Sequence, residues 1–361
     1  MKKFVFSAAA LTLTGTAVAN DDWAQLDQDI QALSASVTGL EEHGMHIGGR
    51  IRTLYQSSSD VTTASGNDLG GFSVRNARLY ASGTTAGDIG YRVEVDFGNG
   101  AGAAQLGLLD AYLDIPVGGE ISARVGQFRA HVSREALIDS GNLFFVERSA
   151  IGNHFSGRSQ GIALNGDMGE FGWALTIQNG NDGTGDDLFM ALRGGIDLMG
   201  GGTDLVEGAY GAGDEMEASA AVSYFSDDAV EDADGFLVEG SLATGQFSAQ
   251  ASILSLGDAV SLANVDNENP AASAGLEADT TPFSVQGTFM LSEAGSDYGA
   301  WELGLRFQDL DDTNETTVID FGANYYANGH DYKYIINYSS ISSDDASLEV
   351  DTITLGVNAR F

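Results

Sequence analysis

Any reaction run by this chain would have to come from a narrow set of side chains, and its five histidines are the first to weigh. His43, His46, His131, His154 and His330 have no Ser/His/Asp set tied to them at a recognisable spacing, so nucleophilic or general-base catalysis has no constellation to use. An enzyme is not expected. Cys is absent, which removes disulfides and thiolate metal sites. Acidic clusters stand at Asp182/Asp186/Asp187, at Asp227/Asp228/Glu231/Asp232/Asp234 and at Asp309/Asp311/Asp312. Hard cations want several oxygens, so these clusters could hold Ca²⁺ loosely. However, "DDAVEDADG" lacks the leading Asp and the closing Glu of the twelve-residue calcium loop. Solvated charge is the simpler reading, and no cofactor or dedicated metal site is expected.

Arginine is the more distinctive chemistry. Ten of the fourteen basic residues that follow Lys3 lie between Arg50 and Arg158. The stretch "GQFRAHVSREALIDSGNLFFVERSAIGNHFSGRSQG" (126–161) carries Arg129, Arg134, Arg148 and Arg158 against Glu135, Asp139 and Glu147. A guanidinium offers a planar fork of donors that suits carboxylates and phosphates. The same stretch holds Ala136, Leu137, Ile138, Leu143, Phe144, Phe145, Val146, Ile151 and Phe155. Exposed connections are seldom this apolar, so it is expected to pack against something.

The elements that hold these residues follow from the hydropathy period. The chain opens MKKFVFSAAALTLTGTAVAN: two lysines, an apolar run from Phe4 to about Leu13, then Ala17-Val18-Ala19. This predicts an export signal over residues 1–19, with an apolar core too short to span a bilayer. In residues 20–43, Trp23, Leu26, Ile30, Leu33, Val37 and Leu40 take a/d heptad spacing. Either a short self-associating coiled coil or a single amphipathic helix lying on the rest of the protein would produce it.

From Met45 to Phe361 the period becomes 2. Alternating segments are predicted at 45–56, 71–83, 89–97, 106–115, 120–128, 159–166, 170–179, 187–198, 214–225, 235–244, 246–256, 281–291, 298–308, 315–326, 331–340 and 348–361. In "SLEVDTITLGVNARF", Ile353, Leu355, Val357, Ala359 and Phe361 share an apolar face opposite Thr352, Thr354, Gly356, Asn358 and Arg360. A soluble sandwich of this length would break into domains. Sixteen such segments in an exported chain are instead expected to form an all-β, 16-stranded antiparallel transmembrane β-barrel over 45–361, because closure leaves no backbone group unpaired in lipid. Connections after even segments are mostly tight and those after odd ones include the longer acidic ones, which puts both termini in the periplasm. Residues 199–213 break that rule and leave room for a misassigned strand.

With the apolar faces outward, Arg50, Arg52, Arg78, Arg92, Glu94, Asp96, Asp110, Arg124, Arg193, Glu239, Glu302, Arg306, Asp320 and Lys333 point inward, as does His46. Arg75 has the opposite parity from Arg78, which suggests a rim or a bulge. Buried charge at this density needs water, so an aqueous lumen is expected. The formal charge is −36, and −38 once loss of Lys2 and Lys3 leaves fourteen basic against 52 acidic residues. Such a surface argues against nucleic acid.

The run from "FSVRNARLYASG" through "YRVEVDFGNG", "LLDAYLDI" and "ARVGQF" to "NLFFVERS" and "FSGRSQGIAL" resembles the phosphate-selective porin O and P family. The likeness is motif-level over about 70–165 and a strand rhythm elsewhere. It implies a homotrimeric porin of a Gram-negative outer membrane, seated in outer-membrane lipid, with an inward-folded third loop (129–158) as the constriction. It further implies that Arg129, Arg134 and Arg148, beside Glu135, Asp139 and Glu147, stand at that constriction and face Arg78, Arg92 and Arg124. One departure is clear: beyond the signal the only lysine is Lys333, whereas phosphate-selective members carry many basic pore residues. The expected function is passive diffusion of small hydrophilic solutes and ions with modest charge selectivity. The alternative is a substrate-selective anion channel for phosphate or carboxylates.

Overall fold

The computed structural model describes residues 44–62, 68–85, 87–98, 107–180, 186–229, 232–258, 276–292 and 299–361. The export signal and the 20–43 helix lie outside the described residues. Sixteen strands follow in order: β1 (Met45–Thr62), β2 (Asp68–Thr84), β3 (Gly90–Asp96), β4 (Gly107–Gly118), β5 (Ile121–Arg129), β6 (Arg158–Met168), β7 (Phe171–Asn179) and β8 (Leu188–Met199). The second half holds β9 (Glu217–Asp227), β10 (Asp234–Ala243), β11 (Phe247–Leu256), β12 (Phe283–Met290), β13 (Ala300–Asp309), β14 (Thr317–Asn328), β15 (Tyr332–Ser342) and β16 (Val350–Arg360). Each pairs antiparallel with its sequence neighbours, and β1 closes on β16 in a single barrel. Every predicted segment is present. Residues 199–213 hide no further strand; Met199 ends β8 and the rest fall in a seventeen-residue connection, 200–216, between β8 and β9.

Period-2 burial shows why the pattern was readable. On β15, Tyr332, Tyr334, Ile336 and Tyr338 are exposed outward while Lys333, Ile335 and Asn337 are buried. Outward apolar residues such as Ile51, Leu113 and Phe321 remain exposed around the wall, as a lipid-facing surface requires. Arg50, Arg52, Arg78, Glu94, Asp96, Glu302, Arg306, Asp320 and Lys333 are buried on the inner face. His46 stays exposed, its Nε2 3.3 Å from Tyr80 Oη.

Arg75 sits at a bulge. Arg52 pairs with Asn76 and Thr53 with Val74, so Arg75 is the extra residue. The bulge buries it, 3.0 Å from Glu147, the re-aiming of a side chain that bulges permit.

The inner face is not polar throughout. Phe189 (β8), Phe225 (β9), Leu237 (β10), and Leu254 and Leu256 (β11) are buried together, in runs whose outward neighbours Met190, Tyr224, Phe236, Val238 and Ile253 are also apolar. Strict alternation fails there because both faces meet apolar surroundings. The inner partner is the segment between β5 and β6.

Candidate functional site

Residues 130–157 contain two single-turn helices, Arg134–Leu137 and Ala150–His154. Ser133 caps the first by accepting from Ala136 N at 3.4 Å, and Ser149 caps the second by accepting from Gly152 N at 3.0 Å. Such caps contribute about 1 kcal/mol each. The apolar side chains that marked this stretch in the sequence are buried, apart from the partly exposed Leu137, and they anchor it at three places. Val132, Ala136, Ile151 and Phe155 join the apolar inner cluster of β8–β11. Val146 packs with Leu54 and Ile335. Phe144 lies on Gly304 and Gly322, which are paired across β13 and β14. A Cβ at either glycine would stand 2.4 or 2.5 Å from the Phe144 ring.

Polar contacts follow the same route. Arg52 donates to the Val146 carbonyl at 3.0 Å, Asn324 Nδ2 to the Phe144 carbonyl at 2.8 Å, and Lys333 Nζ to the Leu143 carbonyl. Arg193 and Ser223 Oγ both donate to the Val132 carbonyl, at 2.6 and 2.7 Å. The segment is thus fastened to inner-face side chains from β1, β8, β9, β14 and β15.

The charges pair in a crossed fashion. The carboxylates of the segment bind wall arginines: Glu147 is 3.0 Å from Arg75, Glu135 is 3.6 Å from Arg306, and Asp139 contacts both Arg50 and Arg360, the latter at 3.1 Å. Arg129, at the end of β5, and the segment's own arginines mostly bind backbone carbonyls. Arg129 donates to Ser156 O (3.1 Å) and Ile138 O (3.3 Å), and Arg148 to Glu135 O (3.1 Å). Arg134 reaches Gln250 Oε1 at 2.7 Å and Val206 O at 2.9 Å. Arg158, at the start of β6, pairs with Asp110 at 2.8 Å.

Asp139 answers a specific problem. Arg50 is in register with Arg78 on one side and Arg360 on the other, and like charges side by side on adjacent strands repel. Enclosure alone would raise the Asp139 carboxyl, but Arg50, Arg78 and Arg360 hold it well below the usual carboxylate range. It stays ionised between them.

On the wall, Arg78 binds Asp96 at 2.7 Å and lies 3.7 Å from Glu94. Arg92 donates to Glu94 at 3.1 Å, and its guanidinium lies 4.4 Å above the Tyr80 ring. Arg124 binds Asp114 at 2.8 Å and stacks 3.9 Å above Tyr112. Sequence reasoning missed Asp114. Its parity with Asp110 was the available signal, since Asp114 is the register partner of Arg124.

His131 sits with Nδ1 3.3 Å from Thr176 Oγ1. Burial, helped by Arg124 and Arg193, lowers its pKa from 6.5 to about 4. Between those values the unseated segment binds a proton that the seated one excludes. Seating is therefore fully favoured above about pH 6.5 and weakens as the pH falls toward 4. Hydrogen exchange at residues 130–138, corrected for intrinsic rate, should accelerate over that window in the parent and lose the trend in His131→Gln. An identical trend in the variant would contradict this.

Sequence reasoning singled out the long connection after β8 but missed where it packs. Glu207 is buried, and its Oε2 accepts from Phe144 N at 2.6 Å and Phe145 N at 3.2 Å. Burial and the nearby Glu135 carboxylate raise its pKa. Nothing in the local sequence pattern announces that contact.

The sequence that builds this closed barrel matches a known protein family. The model of the phosphate-selective porin O and P family matches residues 45–194 and 209–361. The chain belongs to that family. Among solved structures, this porin is similar to a low-pH structure of Pseudomonas putida OprB, at 9 % identity and a TM-score of 0.58 over 91 % of this chain and 96 % of that one. It is also similar to an anion-selective porin from Comamonas acidovorans, at 12 % identity and TM-score 0.56, covering 88 % and 99 %. The outer membrane channel DcaP of Acinetobacter baumannii gives 16 % and 0.56, covering 88 % and 97 %. At these identities the likeness is one of fold. No curated protein sequence matches this porin. Family and fold point to an outer-membrane channel.

Proposed function

We propose that this porin passes small hydrophilic solutes and ions by passive diffusion, that residues 129–158 are the inward-folded third loop and constriction, and that charge selectivity is modest. The observation that carries this reading is the set of inner-face charges left partly open. Arg92, Arg124 and Arg360 are 27 %, 24 % and 26 % exposed beside Asp114 at 34 %. Enclosed charges of this kind need water, and both signs face it together. Of the six candidate constriction residues, Arg129, Arg134, Glu135, Glu147 and Arg148 then act chiefly by shaping the passage, because their charges are engaged, while Asp139, 37 % exposed, also faces the water. Assembly as a homotrimer, with the heptad of residues 20–43 contributing, completes the proposal.

Planar-bilayer recording under a KCl gradient tests it: discrete channels with a small reversal potential are expected, and absence of channels would end the reading. Asp139→Asn strips the negative charge shared by Arg50 and Arg360. It should shift the permeability ratio toward chloride by up to roughly fivefold, since a unit charge at about 4 Å in water is worth about 1 kcal/mol. The guanidiniums of Arg92 and Arg124, 4.4 and 3.9 Å from the Tyr80 and Tyr112 rings, carry planar donor sets of the kind that suits oxyanions. Saturable block of chloride current by phosphate or a dicarboxylate would therefore favour a substrate-selective anion channel.

A further inference from the structure

The family pattern skips residues 195–208, and the structure places an unusual element there. Other connections at the rim that bears Phe361 include the two-residue turns 119–120 and 169–170, whereas 200–216 is far longer. Gly200, Gly201 and Gly202 take φ of +65°, +83° and +86°, a left-handed run that residues with side chains rarely adopt. Beyond it the chain turns to the inner side of the barrel. Glu207 N donates to the Asn142 carbonyl at 3.0 Å, and Arg134 donates to the carbonyls of Asp204 and Val206. Tyr210 stacks on Tyr326 with centroids 4.2 Å apart, and Tyr326 Oη donates to Glu302 at 2.6 Å. The strongest tie is Glu207 itself, whose Oε2 holds the Phe144 and Phe145 amides while Oε1 accepts from Gln286 Nε2 at 2.6 Å. Two cavities, about 200 and 340 Å³, flank residues 203–206 and share Arg134, Thr203, Ser241 and Gln250 as lining.

We propose that residues 200–216 form a second constriction element entering from the rim opposite the long loops, and that Glu207 is the positioning residue locking it to residues 142–145. The aperture is then set by two pieces whose strongest tie is one carboxylate. The proposal rests on the diffusion-channel reading, and it adds a size filter that the family pattern does not contain.

The test is single-channel conductance, with liposome swelling in sugars of graded size, on the full chain. Replacing residues 201–213 by Asn-Gly should raise conductance at least about twofold and admit larger sugars, since a constriction limits flow by its cross-section. Glu207→Ala should move both readouts in the same direction without shortening the chain, which covers the case in which the deletion fails to fold. Glu207→Gln should restore parent behaviour. Its carbonyl takes the place of Oε2, and its amide can donate to Gln286 Oε1 after a flip of the Gln286 amide, an oxygen without a partner among the described residues. Parent-like conductance in folded Glu207→Ala, or a Gln variant as open as the Ala variant, overturns the proposal while the channel reading stands. A parent protein without channels removes both.

Discussion

Replacing Arg306 by methionine should cost the barrel about 3–5 kcal/mol, the usual penalty for stranding the partner of a buried ion pair. Arg306 Nε donates to Asp320 Oδ2 at 2.8 Å across the β13 and β14 register, and Nη1 donates to the Glu147 carbonyl at 3.0 Å. Glu135 lies 3.6 Å away, and the guanidinium stacks 4.4 Å from the Phe145 ring. Methionine keeps much of the side-chain volume, so the loss is electrostatic rather than a cavity. Two carboxylates, one on the wall and one in the 130–157 segment, would be left buried without their cation. Urea unfolding in lipid should show the drop, and Arg306→Met/Asp320→Asn should recover part of it. A loss below about 1 kcal/mol would mean that water reaches these carboxylates as it reaches a surface pair.

Gly304→Val should unseat the 130–157 segment. The new Cβ would stand 2.4 Å from the Phe144 ring, which Gly322 hems in from the neighbouring strand. Overpacking of this kind costs typically about 1–3 kcal/mol. The strand is fixed by ladders on both sides, so the ring is the part that moves. Displacing Phe144 also shifts the amide held by Glu207 and the carbonyl held by Asn324. Limited proteolysis should cut within residues 130–157 in the variant and spare the parent. Gly304→Val/Phe144→Ala should regain resistance because the valine then fills space the ring has left. Equal resistance in the parent and the single variant would refute the anchor.

The barrel was legible because most strands separate an oily surround from a polar interior, and that contrast is written at every second position. The closing run from Leu348 to Phe361 needed nothing more. Arg75 was legible as an anomaly: its parity clashed with Arg78, and the bulge resolves the clash by turning it inward. The rhythm gives out around Phe189, Phe225, Leu237 and Leu254, where Ile151 and Phe155 of a distant segment make the interior apolar. The apolar content of residues 136–155 showed that they would be packed, but not against what. Partner choice was the least readable layer. Glu135, Asp139 and Glu147 lie among arginines in sequence, yet their ion pairs are with Arg306, Arg50, Arg360 and Arg75 from the wall. Glu207 finds the Phe144 amide 63 positions earlier. Such pairings depend on the closed barrel, which no local window contains.

Closure also dictates an order of assembly. The seam is sealed by Gly49 N to Phe361 O at 2.9 Å and Phe361 N to Gly49 O at 3.0 Å. The segment's anchors span 159 residues to Arg306, 180 to Asn324 and 190 to Lys333. Contacts of such sequence separation form late, after the hairpins that neighbouring strands can make alone. An assembly intermediate with β1–β12 paired would therefore hold Phe144 without its glycine seat and Glu135 without Arg306. That unsatisfied surface is prone to aggregate, so the last four strands act as the step that commits the interior to its final arrangement.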